Sequence, residues 1–269
     1  MDPFASLADW PGRAAAAIVH ADGRVDRHGD TAEPFALASV TKLLTAMAVL
    51  VAHEEGTLDL DDPFGPSGAT TADLLAHAAG VAPDSPKQLT PPHTRRIYST
   101  SAYDLIADEM TARSGIVFHA YLDEALAHPL DLRSTRLTGS AGAGAWGSVD
   151  DLVRVVDAWR RPVLVDESTL RRAVTPHLPE LDGILPGFGV QRPNPWGIGP
   201  EIRGAKDPHW TAPNNSTRTY GHFGQSGTML WIDPTVGVAA VALCTEAFGA
   251  WAISAWPQFS TDALAAATS

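Results

Sequence analysis

Ser39 and Lys42 are the residues from which chemistry is most readily built. They stand in Ala38-Ser39-Val40-Thr41-Lys42, at the mouth of the apolar run Leu43 to Ala52. A step of three along a helix returns to nearly the same face, so the amine and the hydroxyl come within reach. A serine hydroxyl is a weak nucleophile until a base takes its proton. A buried lysine meets that need in one of two ways: its depressed pKa makes it the base, or its retained charge lowers a neighbour's pKa. The helix N-terminus adds N–H groups and partial positive charge, which favour a developing oxyanion. The competing reading of Ser39 alone is an N-cap, the common reason for a serine before an apolar run. Against it stands the scarcity of lysine, which occurs only at positions 42, 87 and 206. A charge inside an apolar helix is costly and calls for a reason.

Such a pair needs a scaffold, and 269 residues are enough for one large domain or two small ones. Hydrophobic residues make up 45% and charged residues 19%, an ordinary globular balance. The net charge of -12 argues against nucleic-acid binding, which needs basic surface to displace counterions. Ten histidines show no tight metal-ligand spacing, so neither metal nor cofactor is expected. The single cysteine, Cys244, lies in an apolar run and reads as a buried, inert thiol. With no disulfide, no leader pattern and no membrane-length apolar run, the expected location is cytoplasmic and the expected partner a small molecule.

Ala14–His20, the turn Ala21-Asp22-Gly23 and Arg24–His28 read as an antiparallel hairpin. Ser39–Glu55 is apolar on nearly all faces, which predicts a helix buried on several sides and stopped by Gly56. Thr71–Ala79, Ser101–Arg113, Val117–His128 and Ser148–Trp159 read as helices, with no strands among them. The span 176–215 reads as irregular, and its part 186–213, rich in proline and aromatics, as a lid or substrate wall. Thr217–Phe223, Thr228–Asp233 and Val236–Leu243 read as strands, and Phe248–Ala266 as a helix that Pro257 should kink or split. The expected fold is therefore α/β (α+β). Residues 1–58 and 180–269 would share an antiparallel sheet flanked by helices, with a mainly helical domain, 59–179, inserted between them.

Two further stretches complete a pattern. Ile97-Tyr98-Ser99-Thr100-Ser101-Ala102-Tyr103 opens a helix, and Gly221-His222-Phe223-Gly224-Gln225-Ser226-Gly227-Thr228 lies on the first C-terminal strand. With Ser39-Val40-Thr41-Lys42 they resemble, in order and approximate spacing, the three motifs of class C β-lactamase-like serine hydrolases. That family includes penicillin-binding D-alanyl-D-alanine peptidases and β-lactamase-fold esterases. Leu58–Pro63, Leu74–Gly80, Ser148–Leu152 and Trp196–Gly199 extend the likeness over most of the chain.

The resemblance implies that Ser39 attacks a carbonyl to form an acyl-enzyme. Tyr98 would be a phenolate-type base whose pKa Lys42 lowers, and the N–H groups of Ser39 and Gln225 would form the oxyanion hole. Thr100, His222, Phe223 and Gly224 would meet substrate, with Gly224 admitting its backbone. Bland readings compete: Tyr98 as a half-buried tyrosine, His222 as a satisfied strand histidine, His77 as a helix-end anchor, and Asp61, Asp62 and Asp73 as caps or solvated faces. Two departures matter. Thr100 stands where many relatives carry asparagine, and His222-Phe223-Gly224 replaces Lys-Thr-Gly, which removes a fixed positive charge unless Arg95, Arg96 or Arg218 supplies it. Both favour a small ester over a carboxylated amide. The alternatives are a D-amino-acid peptidase or β-lactamase, a transacylase, and a catalytically silent binding module.

Overall fold

Strands β1 (Ala14–Val19) and β2 (Val25–His28) form the expected hairpin. Its turn is closed by the Gly23 N–H donating to the His20 carbonyl at 3.1 Å. In this computed structural model, which describes residues 2–267, the chain continues through β3 (Phe35–Ala36) into helix α1 (Thr41–Glu54). Then follow α2 (Thr71–Leu75), α3 (Ser101–Ser114), α4 (Phe118–Leu122), β4 (Arg136–Leu137), β5 (Ala145–Gly147), α5 (Val149–Arg160) and α6 (Glu167–Ala173). The hairpin β6 (Gly183–Leu185) and β7 (Gly189–Gln191) leads to β8 (Glu201–Ile202), β9 (Tyr220–Gly224), β10 (Thr228–Asp233), β11 (Val238–Cys244) and helix α7 (Ala250–Ala267).

The main sheet is six-stranded and antiparallel in the order β2-β1-β11-β10-β9-β8. Its two faces are both apolar, so helices must cover both. Ala239, Val241 and Leu243 of β11 join Leu230 and Ile232 of β10 on one side, in a core shared with α1 and α5. Their alternate neighbours, Val238, Ala240, Ala242, Met229 and Trp231, face Trp256 and Phe259 of α7 on the other. Helix α1 is buried from Thr41 to Leu50, as its all-round apolar sequence predicts.

Several expectations need correction. Helix α2 stops at Leu75 rather than near Gly80, because His77 adopts a left-handed backbone (φ +59°). The helical middle of the chain contains strands after all: β5 pairs with β3 on one side and β4 on the other in a three-stranded sheet. Segments of two or three residues carry no readable period. Helix α6 was not anticipated, and 176–215 contains β6, β7 and β8. Helix α7 runs through Pro257 as one element. Helix α5, assigned by sequence to the insertion, packs its apolar face on β1, β10 and β11. The Tyr220 hydroxyl, on β9, donates to the Trp159 carbonyl at 2.8 Å. Cys244 is buried as expected, and its thiol donates to the Pro11 carbonyl at 3.0 Å. Among the described residues no helix is long and apolar enough to cross a membrane.

Because Leu50 lies in the centre of α1 with no solvent exposure, Leu50→Ala should cost about 2–5 kcal/mol. Denaturant titration should show a lower midpoint at unchanged slope.

Candidate active site

Ser39 sits in a single 3₁₀ turn, Ala38–Val40, that runs into α1. The position capping α1 is Val40, and no side chain accepts there, so Ser39 is not a helix cap. Its hydroxyl is left for other work. Ala38 holds a left-handed backbone (φ +44°), a local strain that the surroundings must enforce. They do so through neighbouring carbonyls: Thr228 Oγ1 donates to the Leu37 carbonyl at 2.9 Å and Ser226 Oγ to the Ala36 carbonyl at 2.5 Å. Gly224 closes the same contact. A Cβ there would lie 2.4 Å from the Leu37 oxygen, so the space that glycine opens on β9 is filled by the serine turn itself.

Lys42 is buried without a carboxylate partner among the described residues. Its Nζ donates to the Gly142 carbonyl at 2.7 Å and to Thr100 Oγ1 at 3.2 Å, and lies 3.5 Å from Ser39 Oγ. Burial lowers its pKa to about 7, against a weaker upward pull from Asp104. A large fraction of the amine is therefore unprotonated near neutrality. The Gly142 carbonyl was not singled out from sequence. The loop that carries it is tied down by Thr45 Oγ1 on the Ala141 carbonyl at 2.6 Å and by Asp104, which accepts from Ser140 Oγ at 2.7 Å.

Tyr98 stands beside this pair, but not as a lowered phenol. Burial pushes its pKa above the usual tyrosine value, and a hydrogen bond from Ser39 only partly opposes the rise. Lys42 Nζ faces the ring, 4.7 Å from its centroid, and is itself depressed, so it supplies little charge to the oxygen. Of the two groups, the amine rather than the phenol is the one whose pKa falls near neutral pH.

His222 is buried, and its Nδ1 donates to the Phe223 carbonyl at 2.7 Å. Its bare Nε2 faces the Tyr98 hydroxyl at 3.5 Å. Burial first, and Lys42 second, lower its pKa to about 3, so it carries no charge for an anion. Arg95 and Arg218 are exposed, and Arg96 is buried against backbone carbonyls. None of the three replaces the missing cation. Phe223 contributes to the aromatic core beside Trp210 and Trp256. Gln225 is exposed, and its carbonyl accepts from the Phe248 N–H at 2.9 Å.

Ser39, Tyr98, His222, Phe223 and Gln225 line one cavity with Leu185, Pro186, Trp196 and Glu201. It is narrow, about 30 Å³, room for a small group or a few waters. The span 186–213 does form a wall of it. Glu201 was missed because a lone acid in an irregular stretch gives no pattern. It accepts from Trp210 Nε1 at 2.8 Å and from His209 Nε2 at 3.1 Å, and pairs with Lys206. Burial disfavours its charge, yet Lys206 and His209 offset this and hold the carboxyl well below its usual range. His77 is a helix-end anchor as expected, its Nδ1 accepting from the Ser99 N–H at 3.2 Å. Asp73 caps α2 through a capping box with Thr70 and also accepts from His93 and His177, both at 2.8 Å.

Residues 5–256 match the family model described as Beta-lactamase. A crystal structure of a β-lactamase from Mycobacterium bovis is 48% identical, with a TM-score of 0.97, and the match covers 99% of this chain and 100% of that one. The structure of EstCE1, described as a hydrolase with promiscuous acyltransferase activity, is 17% identical with a TM-score of 0.74, covering 95% and 93%; at that identity the likeness is one of fold. The D-alanyl-D-alanine-carboxypeptidase/endopeptidase AmpH of Escherichia coli is 25% identical over 39% of this chain and 37% of its own length, so the chain matches little more than a third of that relative.

A folded-state amine with pKa about 7 and an unfolded one at the ordinary 10.5 have a stability consequence. Below about pH 7 both states are protonated and the native state carries the full burial penalty. Between the two values the unfolded state holds more protons, so this penalty fades as pH rises. Lys42→Met should therefore stabilise the fold by a few kcal/mol at pH 6 and by less at pH 9. Paired denaturant titrations at the two pH values check the sign.

Proposed function

The chain belongs to the beta-lactamase family, and from that premise we propose that it is a serine hydrolase that cleaves small, uncharged esters through an acyl-serine at Ser39. The observation that carries the reading is the buried, carboxylate-free Lys42 amine 3.5 Å from Ser39 Oγ, with its pKa near 7. In this reading Ser39 Oγ adds to the ester carbonyl while Lys42 takes its proton. The N–H groups of Ser39 and Gln225 stabilise the oxyanion. As the carbon–oxygen bond to the alcohol breaks, the Tyr98 hydroxyl gives its proton to the departing oxygen, and the Lys42 ammonium returns one to the phenol. Water then enters, and the same groups acting in reverse release the acid.

The substrate class follows from charge. No lysine or arginine lines the cavity among the described residues, and His222 is neutral. A carboxylate there would lose its hydration without a counter-charge, which is costly. Thr100 Oγ1 accepts from Lys42, and the side chain has no amide to offer a substrate. These points favour a neutral ester over a penicillin-like amide. The names borne by the M. bovis and E. coli relatives keep the amide reading as the second one. A rapid burst and turnover with a chromogenic cephalosporin, exceeding that with p-nitrophenyl acetate, would reverse the order.

Ser39→Ala should abolish p-nitrophenyl acetate turnover, and intact mass should show an acetyl adduct only on the protein that retains Ser39. The acylation rate should rise with pH and reach half its plateau near pH 7, since the protonated amine below that value is no base. A flat profile from pH 5 to 9 would remove Lys42 from the role. Tyr98→Phe should lower kcat by about 10²–10⁴-fold with Ser39 still acylated slowly.

A further inference from the structure

Two buried cations outside the catalytic pair remain unexplained by that mechanism, Arg96 and Lys206. Neither lines the cavity; Arg96 spends its donors on main-chain oxygens, and Lys206 spends its donors on two carbonyls and the Glu201 carboxylate. Arg96 Nε donates to the Asn194 carbonyl at 2.5 Å, Nη1 to Ala76 at 2.7 Å, and Nη2 to Leu178 at 2.7 Å and to His177. Lys206 Nζ donates to the Pro195 carbonyl at 2.9 Å, to Ile202 at 2.5 Å, and to Glu201. Asn194 and Pro195 are the two residues immediately before Trp196. The next peptide is held as well, because the His177 N–H donates to the Trp196 carbonyl at 2.7 Å.

The backbone around Trp196 is thereby fixed at three successive carbonyls, those of Asn194, Pro195 and Trp196, and the indole Nε1 donates to Asn194 Oδ1 at 3.2 Å. The ring meets His77 edge-on with centroids 4.7 Å apart, His222 at 5.4 Å and Tyr98 at 5.7 Å. It forms a wall of the narrow cavity that Ser39 opens into. A group that stays covalently attached to the enzyme suits an enclosed space, whereas a leaving alcohol needs a way out.

We propose that Arg96 and Lys206 are positioning residues that fix Trp196 as the stop of the acyl cavity, restricting Ser39 to short acyl groups of about acetyl to propionyl size. This rests on the acyl-serine reading for its chemistry, but the wall itself is a property of shape. The guanidinium suits the task because its planar fork reaches four carbonyls at once, which a lysine in its place would not.

The test compares kcat/KM for p-nitrophenyl octanoate and acetate in the native protein, Trp196→Ala, Arg96→Lys and the double variant Glu201→Gln/Lys206→Met. The double change removes the ion pair without leaving a buried charge unpaired, and it stands in if Arg96→Lys does not fold. The native protein should prefer acetate, and each folded variant should raise the octanoate-to-acetate ratio at least about tenfold. That is modest beside the roughly fourfold available per buried methylene. In parallel, binding of octanamide, an uncleaved neutral analogue, is measured by calorimetry on the Ser39→Ala background. It should be undetected there and appear once the wall is loosened. A ratio within about twofold of native in variants that unfold cooperatively, or octanamide binding that never appears, would overturn the proposal. Octanamide binding that appears once the wall is loosened, while the counterparts that retain Ser39 show no esterase activity, would uphold the wall and sink the hydrolase reading instead.

Discussion

The burial of the Lys42 amine is the interaction on which the site depends. An ammonium in that position meets a carbonyl, two hydroxyls and two tyrosine rings, with no carboxylate in contact among the described residues, so the neutral form gains ground. Every element nearby is arranged to keep this so. Helix α1 supplies apolar surroundings, the loop between β4 and β5 brings the Gly142 carbonyl, and the start of α3 brings Thr100. Asp104, the carboxylate that acts on it through charge, is engaged with the loop rather than with the amine. A direct Asp104–Lys42 contact would favour the charged form of the amine.

The same logic runs in the opposite sense on the far wall. Glu201, Lys206, His209 and Trp210 form a buried polar cluster in which charge is kept because each charged group finds partners. Arg96 is a third solution, a cation satisfied wholly by main-chain oxygens, with burial lowering its pKa only to about 10. One scaffold thus holds an amine with lowered pKa, a paired amine and a guanidinium among carbonyls. The difference in their states comes from what each donor meets, since all three are buried.

Much of the fold was legible from composition and period. The hairpin of β1 and β2, the buried helix α1, the capped start of α5 at Ser148, and strands β9 to β11 all carry long apolar runs or turn signals. What escaped was short or irregular: β3 to β5, the hairpin β6–β7, and the early end of α2 at a left-handed histidine. In the site, Ser39, Lys42, Tyr98 and His222 were legible because their motifs occur in order, and they are found around one cavity or directly beside it. Gly142 escaped because its contribution is a carbonyl, which every residue has. Glu201 and Arg96 escaped because a single charge in an irregular segment looks like any solvated one.

The sequence by itself determined the spacing of Ser39 and Lys42, the order of the motifs and the antiparallel sheet that both ends of the chain share. These are local or periodic properties, written in neighbouring residues. Tertiary structure alone decided the protonation states: that Lys42 titrates near 7, that His222 is neutral, and that burial raises the Tyr98 phenol instead of Lys42 lowering it. The reason is physical. A pKa is set by solvent exclusion and by the charges and dipoles within a few ångströms, and at this site those come from segments as far apart as residues 42, 100, 142 and 222.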